Sequence, residues 1–456
     1  MRLCVVLVLV ALASTASADE PVRIPGLPGP PIAFTLPEPP AAPPKPIRRF
    51  VVHGKSKVTP ATMGYLSHHA IGDLVSDDDI PALTQAFISS ELFAEVTVEL
   101  RPNGDDAYDV VVTVRDKWSW IAAPAVFFSP GNRAVGVGYA ENDFAGLDRK
   151  FLLYAQLGTA TSMLFGTFLD PSYHGTKLTW RADVYAYRRQ LDEYVNDHGS
   201  PESDAIYRTT TVNYIGAGAL VGWNFRWWLV GDLRLRGAYV FYRDPQFADG
   251  SVAPMPEKDG WDWTIQAHLT LDARHHYFGV TWGPYVQLTL EPSVPVIDSY
   301  DYQHALLRAY YSWRFFKEHQ LELRTNLEVG RHLPAHEEAT IGGVIDLRGY
   351  DVDQFRGDTR ATFRVEYSVP IVKIRSFAFR AIGFWDTGAV AFNFRRTTDR
   401  DYTPEQLTDG YARNDVGIGL RVYLKSIVLP LVGLDFAYGV EGHLPEIVFE
   451  VGLTDF

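Results

Sequence analysis

The chain has 456 residues, a formal net charge of −13 at pH 7, 46% hydrophobic and 13% aromatic residues, and a mean hydropathy of −0.08. This acidity disfavours nucleic-acid binding, whose usual signature is a basic surface, and no segment after the N-terminus is apolar over the ~18 residues that a membrane-spanning helix needs. Two classes of protein remain for a chain so rich in Tyr, Trp and Gly: a soluble all-β protein and an outer-membrane barrel.

Residues 1–18 predict a cleavable secretory signal. One basic residue precedes an apolar run, and the small residues Ala16 and Ala18 precede Asp19. Cleavage would remove one Arg and the single Cys, which gives a net charge of −13 − 1 = −14. We therefore expect no disulfide or thiol chemistry in the mature chain. Residues 19–46 are proline-dense and predict an extended linker.

Residues 47–116 carry the helical patterning of the chain, in the predicted order strand, helix, helix, strand, strand. This block resembles a POTRA domain, the periplasmic module of outer-membrane assembly and secretion barrels. The second helix of such domains commonly runs into a "leu-phe-x-x-val" junction, present here as Leu92, Phe93 and Val96. An unrelated small α+β domain would show the same order of elements.

After Lys117 the chain alternates between polar and apolar residues. Between residues 320 and 329 and between 360 and 369, every second residue is polar and the residues between them are mostly apolar. A soluble sandwich also alternates, but its strands usually run about 5 to 6 residues. Many segments here reach the roughly 9 to 11 residues that a tilted strand needs to cross a bilayer. The pattern favours a barrel with a polar lumen and lipid outside.

Turn residues divide residues 118–456 into sixteen segments, an even number as a single-chain bacterial barrel requires. The predicted starts are 118, 133, 149, 163, 174, 207, 227, 260, 276, 302, 318, 358, 376, 411, 428 and 446. If the first strand rises from the periplasm, long polar loops should follow odd strands, as they do after strands 5, 7, 9 and 13. The connection ENDFAGLDR after strand 2 is longer than this rule predicts.

The motif LRGY lies after the eleventh predicted strand. Because eleven is odd, the same rule places this connection at the outer end of the barrel. A guanidinium inside a barrel needs a carboxylate in bidentate geometry. We predict that Arg348 pairs with Asp386, with Glu366 as second partner, because both acids lie on predicted lumen faces. Gly349 would let the loop turn tightly beside the wall. The alternative is a surface turn whose Arg contacts water.

These residues resemble the BamA-like superfamily of outer-membrane barrels, which includes two-partner secretion transporters and bacterial surface antigens. In that superfamily the sixth outer loop folds back into the lumen. Its motif resembles "val/leu-arg-gly-phe/tyr", and a later strand typically reads "phe-x-asp-x-gly". The matching residues here are Leu347, Arg348, Gly349 and Tyr350, followed by Phe384, Asp386 and Gly388.

The seam between the first and last barrel strands is the predicted opening. Pro124 cannot donate a ladder hydrogen bond and lies in the first strand beside Val126, while Gly452 weakens the last strand. The alternative for Pro124 is a bend in a permanently closed strand.

The C-terminus resembles the β-signal that delivers outer-membrane barrels for assembly. Phe449 and Val451 alternate along the last strand and Phe456 ends the chain. The alternative is a last strand whose aromatic residue lies at the membrane interface.

The sequence thus predicts an all-β transmembrane barrel of about 16 antiparallel strands over residues 117–456, preceded by a small α+β POTRA domain. The resemblance implies a protein in the outer membrane of a Gram-negative bacterium, with the POTRA domain in the periplasm, that inserts or translocates polypeptides. Unpaired edges at the seam and at the POTRA hairpin, roughly Phe93 to Arg115, would bind an incoming strand by β-augmentation. A secretion pore and a passive channel or surface antigen are the alternatives.

The implied partners are unfolded outer-membrane or secreted polypeptides and the lipid bilayer, with periplasmic chaperones or lipoproteins as further candidates, and no nucleic acid. One POTRA domain is fewer than assembly proteins and two-partner transporters usually have. Motifs of hydrolases and nucleotide-binding enzymes are absent from the sequence, so we expect neither an enzyme nor a cofactor. The adjacent pairs His68–His69 and His275–His276 should point apart, so we expect no metal site.

Overall fold

The structure is a computed structural model that describes residues 43–104, 106–129, 131–194, 205–277, 279–296, 298–374, 377–393, 411–424, 430–441 and 444–451. The predicted secretory signal, most of the predicted linker, Gly452 and Phe456 lie outside the described residues. None of the helices in the described part of the chain is long and apolar enough to span a membrane.

The N-terminal domain is a small α+β unit whose four-stranded sheet has the order β2-β1-β4-β3. Its elements are β1 (Lys45–Lys55), α1 (Pro60–Leu66), β2 (Leu74–Val75), a 3-10 turn (Asp77–Asp79), α2 (Ile80–Ser89), β3 (Phe93–Pro102) and β4 (Tyr108–Asp116). Thr59 begins α1, since its side chain accepts a hydrogen bond from the Thr62 amide, and Pro60 occupies the first turn. The strand β1 begins two residues inside the segment that the sequence assigned to the linker.

The core of this domain lies between its helices and its sheet. Leu92 and Phe93 are 6% and 4% exposed and Val96 packs against the same cluster. The predicted helix-to-strand junction therefore supplies core residues. The predicted hairpin forms, since β3 pairs with β4, but its predicted unpaired edge needs one correction, because β4 also pairs with β1. In the described chain only β3 is a long edge of this sheet.

In the described part of the chain, sixteen antiparallel strands close into a barrel, as the alternation predicted. The wall runs through β5 (Trp120–Ser129), β6 (Asn132–Phe144), β7 (Arg149–Gly158), β8 (Thr161–Asp170), β9 (Leu178–Tyr194), β10 (Ile206–Arg226), β11 (Leu229–Phe247), β12 (Gly260–Asp272), β13 (His275–Tyr277), β14 (Val280–Pro292), β15 (Gln303–Phe315), β16 (His319–Arg331), β19 (Thr359–Ile374), β20 (Phe377–Ala391), β21 (Arg413–Leu424), β22 (Pro430–Gly439) and β23 (Leu444–Val451).

Three strand boundaries differ from the predictions by about four residues. The fifth strand begins at Leu178 and not near residue 174. The segment β13 pairs with β14, as β12 does, so the two segments form one wall strand and the ninth strand begins at Val280 and not near residue 276. The strand β6 continues to Phe144, and the connection after it shortens to residues 145–148. The long ENDFAGLDR connection is therefore mostly strand, since polar residues continue on β6 beyond the apolar stretch.

The two faces of the wall differ in polarity. On β16 and β19 the polar residues face the lumen and apolar residues such as Leu327 (45% exposed) and Phe363 (36%) face outward. The strands β5 to β8 depart from this rule, because away from the domain-bearing end of the barrel their lumen positions carry uncharged residues such as Ala125, Ala134 and Met163. The predicted polar lumen therefore begins at β9.

The barrel closes between β23 and β5 through a short ladder. In the described residues this ladder consists of three pairs, Phe449 with Phe128, Glu450 with Phe127 and Val451 with Val126. On its other side, β5 pairs with β6 along its whole length, from Trp120 to Ser129.

Candidate functional site

The connection between β16 and β19, residues 332–358, folds into the barrel and is named here the lumenal loop. It contains a short hairpin of β17 (Ala339–Ile341) and β18 (Phe355–Gly357). A small apolar cluster holds the loop against the wall strand β20. Its buried members are Ala339, Ile341, Leu347, Tyr350, Phe355 and Val390.

Arg348 occupies the centre of the lumenal loop and is 1% exposed. Its Nε and Nη2 donate to the two carboxylate oxygens of Asp386 at 2.9 and 3.2 Å, which is the bidentate geometry. Nη1 donates to Glu366 at 3.3 Å and to Asp435 at 3.1 Å. The structure thus brings together the three residues that the sequence paired and adds a third carboxylate.

The charges around Arg348 are balanced. Arg364 donates to Asp386 at 3.0 Å and Arg421 donates to Asp435 at 2.8 Å, so three guanidinium groups face three carboxylates. Burial alone lowers the pKa of the Arg348 guanidinium, but the Asp386 and Glu366 carboxylates raise it above its ordinary value. Arg348 also lies over the Phe384 ring at 3.3 Å from its centroid. The site is an ionic clamp that holds the lumenal loop to the wall.

Gly349 and Tyr350 attach the loop to β21 and to the end of β22. The Gly349 amide donates to Asp415 at 3.0 Å, and the Tyr350 hydroxyl donates to Glu441 at 2.6 Å. A Cβ on Gly349 would lie 2.5 Å from the amide nitrogen of Gly439. Gly349 lies in the predicted turn, which the Tyr350 amide closes by donating to the Leu347 carbonyl at 3.3 Å, and its lack of a side chain allows the close approach of two backbones.

Gly388, the last residue of the matched motif, lies two positions beyond Asp386 on β20. It faces the lumen near Thr362, since a Cβ at this position would lie 3.2 Å from the Thr362 side chain. It forms no part of the Arg348 contacts described above.

The first part of the lumenal loop is anchored to the opposite wall through a cluster that sequence analysis missed. His336 is buried against the rings of Tyr214, Tyr242 and Tyr300, and its Nδ1 lies 2.6 Å from the Tyr242 hydroxyl. Arg236 donates to Asp262 at 2.7 Å and to Glu337 at 3.1 Å. Polar residues at alternate positions of β11 and β12 indicated a lumen face, but nothing in the sequence linked them to a loop that is up to 101 residues away.

Three residues of this cluster, Asp262, His336 and Glu337, have side chains of the kind that bind metal ions. Their potential ligand atoms lie within 4.8 Å of one another. The Arg236 guanidinium already contacts both carboxylates, so the arrangement is an ion-pair network. The adjacent histidine pairs lie elsewhere. His68 and His275 flank the Trp227 ring at centroid distances of 4.8 and 6.2 Å.

The N-terminal domain docks on the end of the barrel that carries Trp227, named here the domain end. The Thr59 amide and the Thr62 hydroxyl both donate to the Gly146 carbonyl, at 3.1 and 3.2 Å. A Cβ on Gly146 would lie 1.8 Å from the Lys57 carbonyl oxygen, so the two backbones touch. The opposite end of the barrel is named the loop end.

The remaining predicted residues lie at the seam. Pro124 is an exposed residue of β5, two positions beyond the described ladder with β23. Val126 is 38% exposed, and its backbone pairs with that of Val451. Phe449 pairs with Phe128.

A closed antiparallel barrel with an α+β domain at one end and a clamped loop in its lumen is a membrane-spanning barrel of the type that the LRGY motif indicated. A family profile described as "Omp85 superfamily domain" matches residues 143–453. The chain belongs to the Omp85 superfamily, and is an outer-membrane β-barrel protein similar to BamA. Its N-terminal domain is consistent with a POTRA domain.

Three solved structures share this fold. They are BamA from Haemophilus ducreyi lacking POTRA domains 1-3 (TM-score 0.55, 13% identity, 89% of this chain and 84% of that chain), CdiB from Acinetobacter baumannii (0.56, 15%, 90% and 74%) and CdiB from Escherichia coli (0.55, 12%, 92% and 93%). At these identities the likeness shows the fold alone. No curated protein matches the chain.

Proposed function

We propose that this chain inserts or translocates polypeptides at the outer membrane through the seam between β5 and β23. The observation that carries the proposal is the unequal pairing of the last strand, since the described residues of β23 form eight pairs with β22 and three with β5. Edges that are incompletely paired can template an incoming strand by β-augmentation. Pro124 supports this role, because it has no amide proton to add to a ladder.

The N-terminal domain is proposed to lie in the periplasm and to receive the polypeptide first. Its edge strand β3 is the candidate binding edge, since β4 is already paired on both sides. This orientation puts the domain end toward the periplasm and the loop end toward the cell exterior. Periplasmic chaperones or lipoproteins are further candidate partners at the same domain. We propose no catalytic step for any of these residues.

The lumenal loop favours a protein-handling role over a passive channel. Arg348 holds the loop to β19, β20 and β22, while Tyr242 and Arg236 hold its first part to β11. The loop therefore crosses the lumen from one wall to the other. A passive pore would require these buried ion pairs to break whenever solute passes.

Site-specific photocrosslinking tests the seam. A photoreactive residue at Val126 in living cells is expected to capture polypeptides other than this chain, identified by mass spectrometry. The matched control is Leu288 on β14, which faces outward with 39% exposure against 38% for Val126. Capture of C-terminal strands of other barrels would indicate an insertase, and capture of a soluble or lipidated passenger would indicate a secretion pore. Capture of β23 alone would overturn the proposal.

A cysteine crosslink provides the second test. The chain has one Cys, in the predicted signal, so Phe128→Cys with Phe449→Cys gives a single defined bond across the seam. Oxidation should abolish insertion or translocation, and reduction should restore it. The control pair, Val135→Cys with Leu157→Cys, joins β6 to β7 and should leave activity unchanged.

A further inference from the structure

The outer face of the barrel between β6 and β11 carries an open groove of about 650 Å³. Large side chains such as Val137, Leu164 and Ile215 border it and are 52 to 61% exposed. Ala155 and Ala186 lie between them and form a shallow floor. This face looks away from the lumen, because these residues have the opposite parity to the lumenal Tyr154 and Asp183.

Arg188 lies at the loop end of the groove and belongs to its lining. It shares the outward face of β9 with Val184, which is 62% exposed. Strand pairing puts Ser162 of β8 and Asn213 of β10 directly beside it. Within the described residues the Arg188 guanidinium has no hydrogen-bond or ion-pair partner. By contrast, the outward-facing Arg243 of β11 donates to Asp259 at 2.9 Å.

The depth of Arg188 in the membrane follows from the aromatic residues around it. Ile215 pairs with Tyr239, whose ring packs on Trp261 at 5.2 Å and belongs to an outward aromatic group of the kind found at membrane interfaces. Asn213 is the next outward-facing residue after Ile215 toward the loop end of β10, and Arg188 pairs with it. From Asn213 to Trp223 at the domain end, ten residues of tilted strand cover about 25 Å, the height of the apolar band. Arg188 thus lies at headgroup depth.

The geometry points to a binding site for a phosphorylated glycolipid of the extracellular leaflet, with its phosphate on Arg188 and its acyl chains along the groove. A guanidinium with no partner among the described residues matches the bidentate geometry of a phosphate, and Ser162 and Asn213 add polar groups on either side. Five strand spacings of ~4.8 Å make the face roughly 24 Å wide, which suits several acyl chains side by side. The assignment rests on the orientation proposed above.

Native mass spectrometry of the purified full chain tests the site, with lipid A as the added glycolipid. We expect the wild type to retain lipid A and Arg188→Gln to retain at least fivefold less. The matched control Arg243→Gln should bind like the wild type, because Arg243 already has Asp259 as partner. A second variant, Ala186→Phe, fills the floor without touching the charge and should also lower retention. Heat-modifiable gel mobility verifies that each variant is folded.

Three outcomes would overturn the assignment. Equal retention by the wild type and Arg188→Gln would remove Arg188 from the site. Equal retention of phosphatidylglycerol and lipid A would remove the preference for a glycolipid. A dimer of this chain that Arg188→Gln dissociates would make the groove a protein interface. Capture of polypeptides at Val126 should be unchanged in Arg188→Gln, so this test and the seam test fail independently.

Discussion

Two sectors of the same barrel are stabilised in different ways. From β9 to β22 the lumen carries buried ion pairs, among them Arg236 with Asp262 at 2.7 Å and Arg348 with Asp386 at 2.9 Å. In the described part of β5 to β8 the ion pairs lie at the domain end, where Arg149 contacts Asp170 and Lys150 contacts Asp148. The lumen positions farther along these strands carry uncharged residues, so no ion pairs form there in the described residues.

The difference shows that a barrel need not be equally rigid around its circumference. The lumenal loop cross-braces the charged sector, because Arg348 and His336 attach it to opposite walls. The strands β5 to β8 depend mainly on their backbone ladders, and they border the seam. A hinge motion that widens the seam would therefore cost least if β5 to β8 move and the charged sector stays fixed.

The largest expected effect comes from removing the brace. Arg348→Ala leaves Asp386 and Asp435, which are 0% and 1% exposed, without a shared cation. We expect a loss of about 3 to 5 kcal/mol of stability, as for other buried ion pairs from which one partner is removed. The measurement is the temperature at which folded gel mobility is lost. Arg324→Ala, whose side chain is 42% exposed, is the control and should cost far less. Equal losses of stability in the two variants would show that the buried contacts of Arg348 stabilise the barrel no more than an exposed ion pair does.

A smaller effect is expected from Gly349→Ala. The added Cβ would meet the Gly439 backbone at 2.5 Å, and backbone atoms cannot rotate away. We expect about 1 to 3 kcal/mol of destabilisation from overpacking, measured by urea unfolding in detergent. Gly383→Ala on β20 is the control, since nothing lies within 4 Å of its Cβ. If the two variants unfold alike, the close approach has no energetic consequence.

The comparison of sectors itself can be measured by hydrogen exchange. Amides in the middle of β6 and β7 should exchange on the order of tenfold faster than those of β19 and β20, because side-chain ties add to the free energy of local opening. Arg348→Ala should raise exchange in β19 and β20 and leave β6 and β7 nearly unchanged. Uniform exchange around the barrel would contradict the two-sector description.

The smallest effect concerns the N-terminal domain. Burial raises the pKa of Asp109. Hydrogen bonds from Asn103 (2.8 Å) and Arg49 (2.9 Å) lower this pKa by more than burial raises it, so it falls below its ordinary value of 3.8. A lowered carboxyl pKa stabilises the folded state above pH 3.8, and this stabilisation is lost as the pH falls through the lower value. Asp109→Asn should remove the dependence at a cost of at most about 1 kcal/mol, because Arg49 is exposed. Thermal unfolding of the full chain between pH 5 and 3 measures it.

Much of this architecture could be predicted from the sequence, because polar and apolar residues alternate along any strand that has one apolar face. The strands β16 and β19 showed it clearly, and their lumen faces were predicted residue by residue. Arg348 and Asp386 could be paired for the same reason, since each acid could be assigned to a face. Asp435 was missed because it is 87 residues from Arg348 and sits on a strand rich in Gly and Leu, where parity alone selects no partner.

Other features could not be read from the pattern. In β5 and β6 Ala and Gly occupy most lumen positions, and small residues are compatible with either face. The contacts of His336 depend on the position that a long loop takes in the lumen, and the local pattern of polar and apolar residues does not specify that position. The segment His275–Tyr277 resembled a new strand because two residues interrupt it from β12, although both segments pair with β14.

The reciprocal contact between Gly349 and Gly439 has a consequence for assembly. A Cβ at either glycine would strike the backbone at the other, at 2.5 Å in both directions. A slip of β22 by one residue would put Tyr438 or Val440 at the position of Gly439, and it would also turn every side chain of the strand to the opposite face. The loop could not then seat and Arg348 would not reach Asp435. The glycine pair thus makes packing of the lumenal loop, and formation of the Arg348 contacts, depend on the correct register of β22.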